Sequence, residues 1–204
     1  MRRNLCKQAH LCYNGKNKEG RSDLKALVLN CSPVRTGATA RICEILKETL
    51  SAQASVDCAC IDDFSIAYCR GCRSCHKTAR CVMLDGAQEL MARFEDADRI
   101  VCVSPSYWAD VPGQFKAFID RCTPWCNTHE PHASLSPGKH GYAAVLRTGP
   151  GMRECERLCE TIEHFYGHLE IESGGRLALP QIEYRDQVEP HRGEIERFCG
   201  KILL

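Results

Sequence analysis

No apolar run in this chain approaches the ~20 residues that a membrane-spanning helix needs, which excludes such a helix. Net charge is almost absent as well. Lys and Arg number 27 against 26 Asp and Glu, and the formal balance of +1 offers no broad field for nucleic acid or an acidic substrate. The opening Met1-Arg2-Arg3-Asn4-Leu5-Cys6 is basic, but no apolar core follows it. No secretory signal is therefore expected, and the expected location is the cytoplasm. Also missing are the GxGxxG dinucleotide fingerprint and a Walker loop. There is no internal repeat and no low-complexity segment. The length of 204 residues suits one domain with a full core.

Cysteine is the opposite case, with 16 in the chain. Without an export signal, reduced thiols are expected rather than a disulfide scaffold, and so many of them suggest a poorly oxygenated setting. Four fall in one short stretch, Cys69, Cys72, Cys75 and Cys81, spaced C-x2-C-x2-C-x5-C. That spacing lets a single loop wrap its sulfurs around one point. Thiolates select iron–sulfur clusters, zinc or copper(I), and four cysteines are the usual ligand set of a [4Fe–4S] cluster. Structural zinc more often uses two separated pairs. Free thiols or a disulfide are the plainer alternatives. Gly71 lets the loop bend, and Arg70, Arg73, Lys77 and Arg80 add charge that favours thiolates and offsets an anionic cluster.

Residues 1–23 are polar and basic, and read as a loosely docked arm in which Cys6, His10 and Cys12 are incidental. The domain proper is 24–204. Leu24–Asn30 suits a buried strand, and a helix striped by Ile42, Ile45, Leu46 and Leu50 follows. Between them lies Cys31-Ser32-Pro33-Val34-Arg35-Thr36-Gly37-Ala38-Thr39. A strand, a small-residue loop and a helix start make an anion site, because first-turn N–H groups point outward and the helix dipole favours negative charge. The hydroxyls of Ser32, Thr36 and Thr39 and the fork of Arg35 would add donors, and a monophosphate fits most simply. An ordinary strand–helix turn is the alternative.

Ser55–Ile61 reads as an edge strand with Cys58 and Cys60 as small core residues. Asp85 is a candidate cap for a helix with Ala87, Leu90, Met91, Phe94 and Ala97 inward. Arg99–Ser104 is a further buried strand. It runs into Pro105-Ser106-Tyr107-Trp108-Ala109-Asp110-Val111-Pro112-Gly113, where two adjacent aromatics can wall a flat ring or simply cover the core. Gln114–Cys122 is helical, with Lys116 placed to face a ligand. Residues 123–139 form a long irregular insertion, read as a lid or partner surface. Its Cys126, His129 and His132, with Cys122, only resemble a metal set. Gly141–Arg147 is the fourth strand, followed by Thr148-Gly149-Pro150-Gly151 and a helix in which Cys155 and Cys159 are core thiols. Leu169–Leu179 is the fifth strand, and a last helix carries Ile195, Phe198, Cys199, Ile202 and Leu203.

Strands alternating with amphipathic helices predict an α/β doubly wound, five-stranded parallel sheet. For strand order 2-1-3-4-5, ligands sit at the C-terminal ends of strands one and three. The loops there are 31–39 and 105–113, with 148–151 beside them. A phosphate site beside a flat-ring site suggests flavin mononucleotide (FMN).

The segments Asn30–Thr39, Cys69–Cys81 and Ser104–Arg121 together resemble the flavodoxin-like NADPH-dependent FMN reductase family, in its iron–sulfur flavoprotein branch. The resemblance covers about residues 24–180 and leaves the arm and the insertion outside its pattern. It implies FMN phosphate on Ser32, Arg35, Thr36, Gly37, Ala38 and Thr39. It implies the flavin ring against Pro105, Ser106, Tyr107, Trp108, Ala109 and Val111, and against Thr148, Gly149 and Gly151, with Lys116 adding charge. The four cysteines would hold a [4Fe–4S] cluster close to the flavin. A homodimer or homotetramer is implied, with ferredoxin or NAD(P)H as donor and a quinone, an oxygen species or another small molecule as acceptor. The expected activity is electron transfer between cluster and FMN to a small acceptor. Two alternatives are an NAD(P)H-dependent FMN or quinone reductase without a cluster, and a non-enzymatic carrier or redox sensor with zinc or a disulfide in the loop.

Overall fold

A computed structural model describes residues 24–204. The basic arm expected at 1–23 lies outside the described residues. Apolar residues fill successive positions of β1 (Lys25–Asn30), β3 (Arg99–Pro105) and β4 (His140–Leu146), so these strands are buried on both faces. Such strands need helices on either side, which is the condition for a parallel sheet. The remaining strands are β2 (Ser55–Cys60) and β5 (Glu172–Leu179). The sheet is parallel with order β2-β1-β3-β4-β5, as the alternation predicts.

The helices are α1 (Ala38–Leu50), α2 (Cys75–Thr78), α3 (Gly86–Asp96), α4 (Gly113–Arg121), α5 (Met152–His168) and α6 (Arg192–Ile202). On one face, Ile42, Ile45 and Leu46 of α1 and Ile195 and Phe198 of α6 pack on Val28, Val101 and Ala144. On the other, α3, α4 and α5 bring Phe94, Phe115, Phe118 and Phe165 together, with Phe94 and Phe118 at a centroid distance of 5.5 Å. No described helix is long and apolar enough to cross a membrane.

Two expectations need correction. The fifth strand starts at Glu172 rather than Leu169, because α5 runs on to His168 and Glu170 turns the chain in the left-handed region. Cys58 is exposed and Ala59 is the buried residue of β2. Among the described residues that strand is the sheet edge and pairs only with β1, so its faces are thinly covered. The core thiols behave as expected: Cys155, Cys159 and Cys199 are buried, and burial pushes Cys159 up to about 12 and Cys199 up to about 11.

Tyr166 ties α5 to the sheet. It is fully buried, and its hydroxyl points at the carbonyls of Ile100 and Tyr142, at 3.2 and 3.1 Å. The ring lies on Gly141, where a Cβ would come within 2.4 Å of Tyr166 Cδ2. Gly141→Ala should therefore cost roughly 1–3 kcal/mol through overpacking. Gly167→Ala, on α5 where a Cβ would meet no described atom outside the helix's own backbone within 4 Å, should instead be neutral or stabilising by up to about 1 kcal/mol. Urea unfolding of the two variants checks the contrast.

Candidate functional site

The cysteine loop is held at both ends by one buried guanidinium. Arg121, at the end of α4, is 1% exposed. It donates to the Ala67 carbonyl at 2.9 Å and to the Met83 carbonyl at 3.0 Å, on either side of the loop. It also pairs with Asp85 at 2.5 Å. Asp85 accepts from the Ala67 N–H at 3.0 Å and caps α3 through the Ala87 N–H at 3.0 Å. Gln88 completes a reciprocal capping box. Burial works to raise the Asp85 pKa, but Arg121 and the two N–H groups outweigh it and hold the carboxyl below its ordinary value.

Inside this clamp the chain turns sharply. Gly71, Arg73 and Ala79 take left-handed backbone angles, and Ala79 ends the single turn of α2. Cys69, Cys72, Cys75 and Cys81 all border one small cleft of about 30 Å³, with Arg121 beside them. Cys69 and Cys72 are exposed, whereas Cys75 and Cys81 are half-buried. The Ser74 backbone N–H and hydroxyl hold the Cys72 thiol below its usual range, while burial pushes Cys75 up. Of the expected cations, Arg70, Arg73, Lys77 and Arg80 are all exposed. The buried one, Arg121, was visible in the sequence only as a residue of an amphipathic helix.

A second cleft, of about 170 Å³, is lined by Ser32, Gly37, Ala38, Thr39, Pro105, Ser106, Tyr107 and Thr148 among others. The first loop is preformed by local bonds: Asn30 Oδ1 accepts from Ser32 N at 3.0 Å, and Ser32 Oγ accepts from Val34 N at 3.1 Å. Among the described residues no side chain caps α1, whose cap residue is Gly37, so its first-turn N–H groups lack a side-chain acceptor there. Arg35 is not in this cleft. Its guanidinium is taken by Asp63 and, at 3.2 Å, by Asp62. Thr36 is exposed outside it.

The aromatic loop also departs from expectation in part. Tyr107 and Asp110 close a tight turn through N–H···O bonds of 2.8 and 3.2 Å, with Trp108 and Ala109 at φ 55° and 58°. Trp108 is fully exposed, so it does not cover the core. Val111 does: it is buried in the apolar cluster rather than facing the cleft.

The residue that the sequence reading missed here is Arg147, which lines the cleft from the end of β4. It donates to the Gly151 carbonyl at 3.0 Å and pairs with Glu154 at 3.1 Å. A Cβ on Gly149 would meet its guanidinium at 2.5 Å. Thus Gly149 and Gly151 shape the loop around Arg147 and do not line the cleft themselves. The detectable signal was an Arg closing an apolar strand at the sheet's C-terminal edge.

Lys116 belongs elsewhere. It pairs with Asp120 at 2.5 Å and lines a separate cavity of about 500 Å³ between α4 and α5. The four thiols share a cleft at the C-terminal end of α4, and that cleft has no lining residue in common with the one at 31–39. The 123–139 insertion is not a free lid. Ser136 N donates to Glu95 at 2.9 Å, Lys139 Nζ donates to the Ala97 carbonyl at 2.9 Å, and Trp125 packs on the core.

Asp85→Ala leaves Arg121 buried without its counter-charge and should cost about 3–5 kcal/mol. Because the Asp85 pKa is depressed in the folded protein, its contribution is present above the unfolded value of about 3.9 and fades as pH falls through the lower folded value. The gap between wild type and variant in urea unfolding should therefore narrow in acid. Ala109→Gly relieves a left-handed Ala and should raise stability by about 1 kcal/mol in the same measurement.

Against known proteins, this chain has clear relatives. The sequence pattern described as NADPH-dependent FMN reductase matches residues 24–177. An iron-sulfur flavoprotein of Archaeoglobus fulgidus is 32% identical over 132 residues, 64% of this chain and 58% of that protein. One from Methanocaldococcus jannaschii is 28% identical over 105 residues, 50% of this chain and 53% of that one. The chain spans about half the length of the curated relatives it matches. Among solved structures, the fold is similar to an NAD(P)H:quinone oxidoreductase from Methanothermobacter marburgensis, with TM-score 0.69, 12% identity and coverage of 87% and 96% of the two chains. It is also similar to an FMN-dependent NADH-azoreductase from Bacillus anthracis, with TM-score 0.64, 12% identity and coverage of 89% and 100%. With its pattern matched from β1 almost to the end of β5 and its sheet order shared with flavodoxin-like proteins, the chain belongs to the NADPH-dependent FMN reductase family.

Proposed function

We propose that this chain is a flavin-dependent oxidoreductase that binds FMN at the 31–39 and 105–107 loops and a [4Fe–4S] cluster at Cys69, Cys72, Cys75 and Cys81. The observation that carries the reading is that all four cysteines of one loop line one cleft beside a buried guanidinium. The donor set fits the group: four sulfurs match the usual ligand count, and the Arg121 charge offsets an anionic cluster. The names of the sequence relatives support the same reading. When bound, the cluster supplies one-electron exchange and FMN supplies one- or two-electron exchange.

The chain's own residues bind and orient these groups. The uncapped start of α1 presents N–H donors to a phosphate, and the buried Thr39 and Ser32 sit beside them. Arg147 brings a positive charge to the same cleft. At about 170 Å³ this cleft is smaller than the ~300–1,000 Å³ of a site enclosing a drug-sized ligand, so it suits the phosphate end. Tyr107 and the exposed Trp108 stand next to it as the apolar surface for the ring. At the other cleft Ser74 holds the Cys72 thiol below its usual range, and Arg121 brings a buried positive charge. No side chain is needed to move a proton. NAD(P)H or reduced ferredoxin would be the donor, and a quinone, an oxygen species or another small molecule the acceptor.

Anaerobic purification followed by absorption spectroscopy and iron, sulfide and flavin analysis tests this. The expected result is FMN with about four iron atoms per chain. Cys81→Ser should lose the iron and its broad visible absorption but keep FMN, and Cys155→Ser should lose neither. Arg147→Ala should weaken FMN binding by roughly 1.5–3 kcal/mol, as for a lost charged hydrogen bond, while Arg35→Ala should change it little. Extracted FAD in place of FMN, or iron retained in Cys81→Ser, would overturn the assignment.

A further inference from the structure

His129 comes from the 123–139 insertion, yet its ring lies against His76 of the cysteine loop, with centroids 4.1 Å apart and planes tilted by 55°. A ligand atom from each of Cys75, His76 and His129 falls within 4.8 Å of the other two. His129 Nδ1 is 2.9 Å from the Cys126 carbonyl, which can only accept. In the neutral ring the proton is therefore on Nδ1, and Nε2 carries the lone pair. That Nε2 is buried and has no hydrogen-bond partner among the described residues. A buried imidazole acceptor without a donor is costly for the folded chain. An imidazole whose other nitrogen donates to a backbone carbonyl is also the arrangement of a metal-ligating histidine.

We infer that Cys75, His76 and His129 form a binding site for a divalent transition-metal ion of the zinc class. One thiolate and two imidazoles suit such an ion, with water completing a tetrahedron. Ligands at about 2.0–2.3 Å from a zinc ion lie closer together than the upper bound of 4.8 Å, and the exposed His76 has freedom to close the difference. Binding releases the Cys75 thiol proton to solvent. The inference touches the proposed function only in sharing Cys75, so this ion and a four-cysteine cluster exclude each other. In a chain without a cluster, the ion would tie the loop to the insertion and keep Cys75 from oxidation.

The test is an anaerobic titration of cluster-free, reduced full-length protein with Co2+, followed by displacement with Zn2+. One Co2+ per chain should bind, with tetrahedral ligand-field absorption and charge transfer from a single thiolate. Cys75→Ser should lose the charge-transfer band. His129→Ala and the exposed His76→Ala should each lower affinity at least tenfold. Cys69→Ser should bind Co2+ as wild type does. Unchanged affinity in both histidine variants, or loss of binding in Cys69→Ser, would overturn the inference, the latter because the four cysteines would then be taking the ion. Reconstitution of His76→Ala with iron and sulfide separates the two claims. It should assemble a cluster normally if the functional reading holds, and failure of wild type to do so would count against that reading while leaving the Co2+ result standing.

Discussion

One buried ion pair organises the chemistry-bearing half of this molecule. Arg121 is carried into the interior by a helix whose Phe115 and Phe118 are core residues, so its charge cannot avoid desolvation. Asp85 answers that charge, and in the same place it starts α3. Two carbonyls from either side of the cysteine loop also accept from the guanidinium, whose Nε–H is buried without a partner among the described residues. A loop with four thiols and several exposed cations has little apolar surface of its own. Its conformation depends on this anchor, because a buried charge tolerates few alternative arrangements of its partners.

The anchor also sets the electrostatics. The loop's own arginines and lysine are exposed and screened by solvent. Arg121 is not, and it lines the cleft that the thiols share. The other cleft is organised differently, by backbone. Its floor is a strand end, a turn closed by Asn30 and Ser32, and a helix start without a cap. Arg147 plays there the part that Arg121 plays at the thiols, though with Glu154 and a carbonyl as partners. Arg121 is the last residue of α4, and Arg147 directly follows β4.

The insertion changes its meaning once folded. Read alone, a long Pro-containing segment with two histidines suggests a lid. In the folded chain it is bonded to Glu95 and Ala97, packed through Trp125, and placed with His129 against the cysteine loop. Loop length therefore said little about mobility here. Buried contacts and hydrogen bonds decide that.

Periodicity in the sequence determined the sheet and its helices, because a strand buried on both faces and a helix buried on one leave different apolar patterns. The order 2-1-3-4-5 followed from alternation and from the known preferences of doubly wound sheets. Local chemistry also marked the capping role of Asp85, the core thiols on α5, and the cysteine loop. What it could not show were pairings between distant segments. Arg35 looked free but meets Asp62 and Asp63, and Lys116 looked aimed at a ligand but meets Asp120 and a different cavity. Val111 looked like part of a ring site but fills the core. Arg121 carried no local signal of its burial, and Arg147 showed only as an Arg closing an apolar strand. A side chain's partners across the fold depend on where the helices and strands pack, and only the tertiary structure decides which charges are buried and which meet.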